Sequence, residues 1–453
     1  MLNSKIVSVN STSARTLLAK KNILYSLALK VIGLLTMLML VPLSINYLGD
    51  VNYGVWITVS GVIAWAGMFD FGFSHGLRNR LTEVLADKNL KEGRYLVSST
   101  YFFMIILAVI LSFIFYILIN IIDWSSLLNL SIDFDMNMLH LTLNIIFLFF
   151  ILQFTLKPIN SILQAHQWPA IEQSLGTLAG VITIASIAVL YHYDLKPQLI
   201  YYAISVAGIP IIISVFASIY LFSNKFKNFR PSFSFIKIKS IKSIGGLGVS
   251  FFIIQLALLV VYSSDNLIIS YLFGPKEVTT YNIVYRYFSL VTIMFTVIMT
   301  PFWSAITDAY AKDDMQWIER TIHSLVLVLL GGAIISILLA ILSPWFLSLW
   351  ISNNFITSPL LVNLMALYAV SMAWLNIFSF FSNGIGKIRV QMIAYIIASV
   401  INLPMSYYFG KVLNMGSSGV LLATIISMTL VSTVLTIQYF KVISNNSKGI
   451  WDR

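Results

Sequence analysis

The chain has 453 residues, 58% of them hydrophobic and 10% charged, with a formal net charge of +11 and no cysteine. Soluble domains run at roughly 45–50% apolar and about 25% charged, so the composition excludes a water-soluble enzyme and points to a chain embedded in a bilayer. The lack of cysteine rules out a disulfide framework, a thiolate metal site and a cysteine nucleophile.

The first 20 residues are polar and basic and lack the apolar core and cleavage site of a secretory signal, so the first span is expected to act as its own targeting signal. Long apolar runs then predict spans at 22–46, 53–77, 95–121, 138–163, 171–191, 199–222, 245–272, 279–306, 321–343, 358–383, 389–410 and 417–440. A bilayer core of about 30 Å needs roughly 20 residues per helix, so this arrangement fills the chain and leaves no room for a soluble domain.

Loop charge sets the expected orientation. With the N-terminus in the cytoplasm, nearly all loop Lys and Arg fall on that side, while the other side receives only Lys196, Lys276 and Lys411. That asymmetry is the positive-inside signal. It predicts a multi-pass protein of the bacterial cytoplasmic (inner) membrane with both termini cytoplasmic. Basic residues spread over separate short loops serve topology, so no nucleic-acid partner is expected.

The sixth-to-seventh connection, Asn224–Ile244, has six basic and no acidic residues and divides the chain into similar halves. At a constant offset of 225, Gly49 matches Gly274, Leu81 Ile306, Thr82 Thr307, Glu83 Asp308 and Ala86 Ala311. The expected domains are an N-terminal lobe of six helices (1–222), a basic cytoplasmic linker (223–244) and a C-terminal lobe of six (245–453). Repeats separated by six helices enter the membrane in the same direction, which predicts two bundles about a pseudo-twofold axis with a cavity between them.

A charge at mid-helix costs about 2.5–3.5 kcal/mol on insertion scales, so Lys30, Asp70, Lys157, Asp265, Arg286 and Asp308 each call for a partner, water or a function. Lys30 falls about nine residues into the first predicted span, or about 13 Å deep, and is expected to face the cavity or to join a buried ion pair. Asp265 and Arg286 share a depth of about 10 Å on consecutive antiparallel helices and are candidates to pair. Lys157, beside Pro158, either snorkels to the headgroups or joins the cavity cations. Arg78 and Arg80, with Glu83 nearby, cluster at the inner end of the second span as topology determinants or a cytoplasmic gate.

Pro42, Pro158, Pro210, Pro301 and Pro404 lie within or near spans and interrupt the helix ladder there. Tyr285 and Trp303 are candidates to line a sugar path. No phosphate-binding loop, HExxH or GxSxG appears, so transport without a cofactor is favoured over catalysis.

Four segments carry a family resemblance: YLGDVNYGVW (Tyr47–Trp56), FDFGFSHGLRNRLTEVLA (Phe69–Ala86), SSDNLIISYLFGPKEVTTYNIVYR (Ser263–Arg286) and PFWSAITDAYAKDD (Pro301–Asp314). In these the chain resembles the polysaccharide flippases, the Wzx-type O-antigen transporters of the multidrug/oligosaccharidyl-lipid/polysaccharide exporter superfamily. The resemblance implies an all-α, MATE-like membrane fold of about twelve helices in two six-helix lobes around a central cavity. It further implies transfer of an undecaprenyl-pyrophosphate-linked oligosaccharide, an O-antigen or lipopolysaccharide-type repeat unit, from the cytoplasmic to the periplasmic leaflet. Lys30, Arg286 and Lys157 are then cavity cations, and Asp265, Asp308 and Asp70 are coupling or ion-pair carboxylates, with the proton gradient or product removal as the driving force. Implied partners are the lipid-linked oligosaccharide, membrane lipids, a polysaccharide polymerase and a chain-length regulator. Exporters of drugs or metabolites and flippases of lipid-linked peptidoglycan precursors share the general pattern.

Overall fold

The computed structural model describes residues 12–70, 73–166, 168–196, 198–238, 240–241, 256–257, 259–261, 263–352, 355–444 and 448–452. All regular elements among them are helical. The α-helices are α1 (Thr12–Ala66), α2 (Phe73–Ala86), α3 (Leu90–Ile121), α4 (Trp124–Leu128), α5 (Met136–Leu156), α6 (Pro158–Ala165), α7 (Pro169–His192), α8 (Gln198–Ala203) and α9 (Ile209–Ser223). They continue with α10 (Asp265–Phe273), α11 (Pro275–Ala311), α12 (Met315–Trp350), α13 (Pro359–Ile385), α14 (Arg389–Tyr407) and α15 (Ser417–Ile443).

Among the described residues, ten helices are long and apolar enough to cross a membrane. The first of them, Ala28–Trp65, breaks at Gly49 (φ 74°, ψ 166°) and so carries both the first and the second expected span. The seventh expected span, 245–272, falls largely outside the described residues, with α10 its main described part. Exposed apolar side chains such as Phe113, Tyr116, Ile341 and Leu349 cover α3 and α12, as expected of helices whose solvent is lipid.

Two groups of helices are evident from the packing. In the first, α1 packs on α7, α2 on α6, α3 on α5 and α7 on α9; in the second, α13 packs on α11, α12 and α15, and α15 on α14. The groups meet mainly along α1 and α11, with α10 against α1 and α4.

The repeat read from sequence is written into the backbone. Gly274 (φ 88°, ψ 166°) adopts the conformation of Gly49, a region essentially reserved for glycine, and each glycine turns its chain from one span into the next. We call this face of the molecule the turn end and the opposite face, where Arg78, Arg94 and Lys312 lie, the basic end. At the turn end Gly54 lies against Pro275, and the Thr279 hydroxyl donates to the Asp50 carbonyl at 2.6 Å. Under the same offset, position 50 corresponds to 275 and position 54 to 279, so a pseudo-twofold rotation exchanges the two contacts, as in an isologous interface.

Prolines shape the membrane helices by freeing carbonyls that must find other donors. Pro42 leaves the Leu38 carbonyl without its helical partner, and the Trp350 indole of the other group donates to it at 3.0 Å. Pro344 frees the Ala340 carbonyl, which accepts from the Ser343 hydroxyl at 2.8 Å. Pro210 would crowd the carbonyl of Val206, and the chain relaxes there into a π-helical turn, Ile204–Gly208.

The segment after α9 is strapped to the first group. Arg94 Nε donates to the Arg230 carbonyl at 3.1 Å while its guanidinium stacks 4.0 Å from the centre of Phe235. Lys237 Nζ sits 3.5 Å above the Tyr95 ring, and its backbone amide donates to Ser99 Oγ at 2.9 Å. Nearby, His166 packs against Phe226 with ring centroids 4.4 Å apart, and burial lowers its pKa from the usual imidazole value.

Candidate functional site

Between the groups lies a cavity of about 1420 Å³ lined mainly by α1, α7, α9 and α11, with single residues from α5, α6 and α8. Its lining runs from the first turn of α7, at the basic end, to Tyr53 and Trp56 below the turn end. The Gly54, Pro275, Asp50 and Thr279 contacts lie beyond that floor. Trp56 meets Tyr202 edge to face at 5.0 Å, and Tyr202 shares a 2.8 Å hydrogen bond with Ser44, so the floor is built from interlocked side chains.

Three charged side chains line this cavity: Lys30, Glu172 and Arg286. Counted from the Gly49 turn at 1.5 Å per residue, Lys30 lies about 28 Å down its helix, close to the far edge of a core about 30 Å thick. The first helix runs from Thr12 to Gly49, longer than the predicted span, so a count from the turn places Lys30 nearer the basic end than a count from residue 22 does. Arg286 lies about 18 Å from the Gly274 turn, so the two cations occupy levels about 10 Å apart.

Arg286 and Asp265 do not pair. The Asp265 carboxylate accepts from the Tyr281 hydroxyl at 2.8 Å and the Thr424 hydroxyl at 2.9 Å, which satisfies it within the second group. Arg286 Nε is buried without a hydrogen-bond partner, and no ion pair to Arg286 occurs among the described residues. A cation in that condition normally costs several kcal/mol, unless its terminal nitrogens meet water or a ligand in the cavity.

Lys157 is not a cavity-lining cation. Its Nζ donates to Asp70 Oδ2 at 2.7 Å and to the Gly67 carbonyl at 3.2 Å, so Lys157 and Asp70 neutralise each other where α1 ends and α5 gives way to α6. Asp308 is likewise outside the cavity: it pairs with Lys312 at 2.6 Å, both side chains largely exposed, in the last turn of α11. Arg80 pairs with Glu83 one turn on, and Arg78 donates to Gln164 Oε1 at 3.5 Å. The partners of Arg78, Arg80 and Glu83 all belong to the first group, so these bonds brace that group and do not bridge the two. Trp303 packs edge to face on Phe380, away from the cavity, whereas Tyr285 lines a second, smaller one.

Sequence reasoning missed Glu172. It stands in the first turn of α7, accepts from Gln164 Nε2 at 3.0 and 2.8 Å, and so ends a chain Arg78–Gln164–Glu172 at the cavity mouth. The signal available was a helix start, Trp168–Pro169 followed by an acid; a search for charges in mid-span passes over it. Gln153, whose Oε1 is buried without a donor, and Asn160 also line the cavity and carried no sequence signal.

A membrane-spanning bundle in two groups, with a largely apolar cavity between them that carries three charged side chains, is the build of a membrane transporter. The comparisons agree: the chain belongs to the family described as polysaccharide biosynthesis protein, which matches residues 19–307, and the MatE family matches residues 251–408. A Salmonella typhi protein assigned as an O-antigen transporter is 22% identical over 404 residues, covering 85% of this chain and 87% of the relative. Its Salmonella typhimurium counterpart is 23% identical over 399 residues, covering 85% and 88%. Among solved structures, an inward-facing multidrug resistance MATE family transporter of the MOP superfamily aligns with a TM-score of 0.73 at 14% identity, over 91% of this chain and 95% of that one. An outward-facing structure of such a transporter aligns with a TM-score of 0.61 at 14% identity, over 93% and 97%. At those identities the likeness is one of fold, and the fold is the all-α, MATE-like one.

Proposed function

We propose that the protein flips a lipid-linked oligosaccharide, an undecaprenyl-pyrophosphate-bound O-antigen or related repeat unit, from the cytoplasmic to the periplasmic leaflet of the inner membrane. The observation that carries this reading is Arg286, a half-buried cation with a buried Nε and no carboxylate partner among the described residues, in the wall of the cavity between the groups. The family and the relatives assigned to O-antigen transport support it.

The physical task is to move phosphates and sugar hydroxyls through hydrocarbon, where each unsatisfied polar group costs several kcal/mol. Lys30, at the cytoplasmic edge, meets the pyrophosphate first, and Arg286 takes it up about 10 Å deeper. The two levels are too far apart for one pyrophosphate to span, so the cations act in succession. The polyprenyl tail stays in lipid.

In this reading the basic end is cytoplasmic, with both termini, and the turn end is periplasmic. Residues 1–222 and 245–453 form the rocking lobes, joined by the basic stretch 223–244. Closure at the turn end by Gly54, Pro275, Asp50 and Thr279 corresponds to the state open to the cytoplasm. Asp265, a carboxylate held by hydroxyls and not by a cation, is the group through which a proton gradient acts.

Deletion of the gene in its host tests the proposal. Long surface polysaccharide is lost while the lipid-linked precursor accumulates. Unchanged polysaccharide with altered drug tolerance overturns it in favour of an exporter.

A further inference from the structure

A second cavity, of about 330 Å³, opens beside the first and shares Arg286 with it. Its walls come from both groups: the second run of α1 supplies Ile57, Ser60 and Trp65, and α10, α11 and α13 supply Asn266, Tyr281, Asn282, Tyr285 and Tyr368. At roughly 30 Å³ per water the space holds about ten waters, enough for one pyranose with some solvent and too little for an extended glycan.

The chemistry of the lining is selective. Four aromatic rings, Trp65, Tyr281, Tyr285 and Tyr368, surround the space, and their electron-rich faces suit the weakly positive C–H face of a sugar ring. The Asn282 amide donates to Asn266 Oδ1 at 2.8 Å and to the Val278 carbonyl at 3.0 Å. Those bonds fix both amides and leave Asn266 Nδ2 as a donor and Asn282 Oδ1 as an acceptor, the pair needed by a hydroxyl or acetamido group. Two buried donors, Trp65 Nε1 and Arg286 Nε, have no hydrogen-bond partner among the described residues, a condition that a bound ligand relieves. The Asp265 carboxylate is occupied by Tyr281 and Thr424 and so does not repel a sugar.

We infer that this pocket is a subsite for a single pyranose of the glycan, occupied while the phosphates are still at Lys30. The inference rests on the proposed lipid-linked substrate. Because both groups contribute walls, the sugar bridges the moving parts, and the glycan is checked at the same place where the groups part.

The test uses the full-length protein in host cells fed a tritiated sugar, so that the cell's own lipid-linked glycan is the probe. Benzoylphenylalanine is placed in turn at Tyr285, at Trp65, at Leu34 in the large cavity and at Leu141 on the exposed apolar surface, with membrane abundance checked for each. After irradiation, label on the protein at Tyr285, Trp65 and Leu34 and none at Leu141 is expected. Asn266→Ala should lower capture at Trp65 about tenfold, as for one lost buried hydrogen bond. Label at Leu34 alone overturns the subsite and leaves the flippase reading standing. No label at any position, with protein present in the membrane, overturns that reading as well.

Discussion

Gly54 and Pro275 touch so closely that a methyl group built on Gly54 would lie 1.8 Å from the Pro275 carbonyl oxygen. Only glycine permits this approach, and it closes the turn end. Gly54→Val should therefore hold the groups apart. The chain has no cysteine, so Ser60→Cys, in the cavity wall, serves as a lone reporter. Its labelling by a charged thiol reagent added outside the cell should rise about tenfold in the Gly54→Val background, the effect of shifting the equilibrium by roughly 1.4 kcal/mol. Labelling that stays unchanged would mean that closure does not depend on this contact.

Arg286→Ala should abolish polysaccharide export while the protein remains in the membrane, because the residue has no ion pair among the described residues to lose. Arg286→Lys keeps the charge but not the planar fork and should restore export in part. Complementation of the deletion strain, with quantified membrane protein, reads both outcomes. Full export by Arg286→Ala would remove the residue from the site.

The Asp70–Lys157 pair predicts the opposite pattern. Asp70→Asn leaves Lys157 without its carboxylate at the end of α1, at a cost of about 1–2 kcal/mol, between the values for exposed and buried pairs. The thermal midpoint in detergent should fall, and the double variant Asp70→Lys, Lys157→Asp should recover most of the loss. Transport per folded molecule should change little.

Burial holds the His166 pKa below that of a free imidazole. The unfolded chain then takes up a proton as pH falls through about 6.5 while the folded protein does not. His166 thus adds stability above about pH 6.5, and that contribution is lost as pH falls from there to the lowered value. Protection factors of the Phe226 and Phe229 amides, whose rings pack on His166, taken relative to the intrinsic exchange rate at each pH, should fall on acidification in the parent and stay constant in His166→Phe.

Much of the architecture was legible because lipid imposes one rule, that each span be long and apolar, and the chain obeys it. The glycine matches at positions 49 and 274 were legible for a similar reason: a backbone conformation closed to other residues leaves a fixed letter in the sequence. The roles of charges were less so. Lys157 and Asp70 look alike on a hydropathy scan whether they face each other or a cavity, and only the junction of α5 and α6 brings them together. Asp265 and Arg286 lie on the helices either side of the Gly274 turn, yet Tyr281 and Thr424, neither charged, decide where the carboxylate points. Glu172 was hidden because its helix begins at the cavity mouth.

The Trp350 indole that serves the carbonyl vacated by Pro42 belongs to the opposite group. Parting α12 from α1 at that level strands an acceptor in oil, at a cost of roughly 1–3 kcal/mol. The proline thus acts as a counterweight: it makes one helix dependent on its neighbour and gives the idle molecule a preferred resting posture, which cargo must outbid before the far side can open.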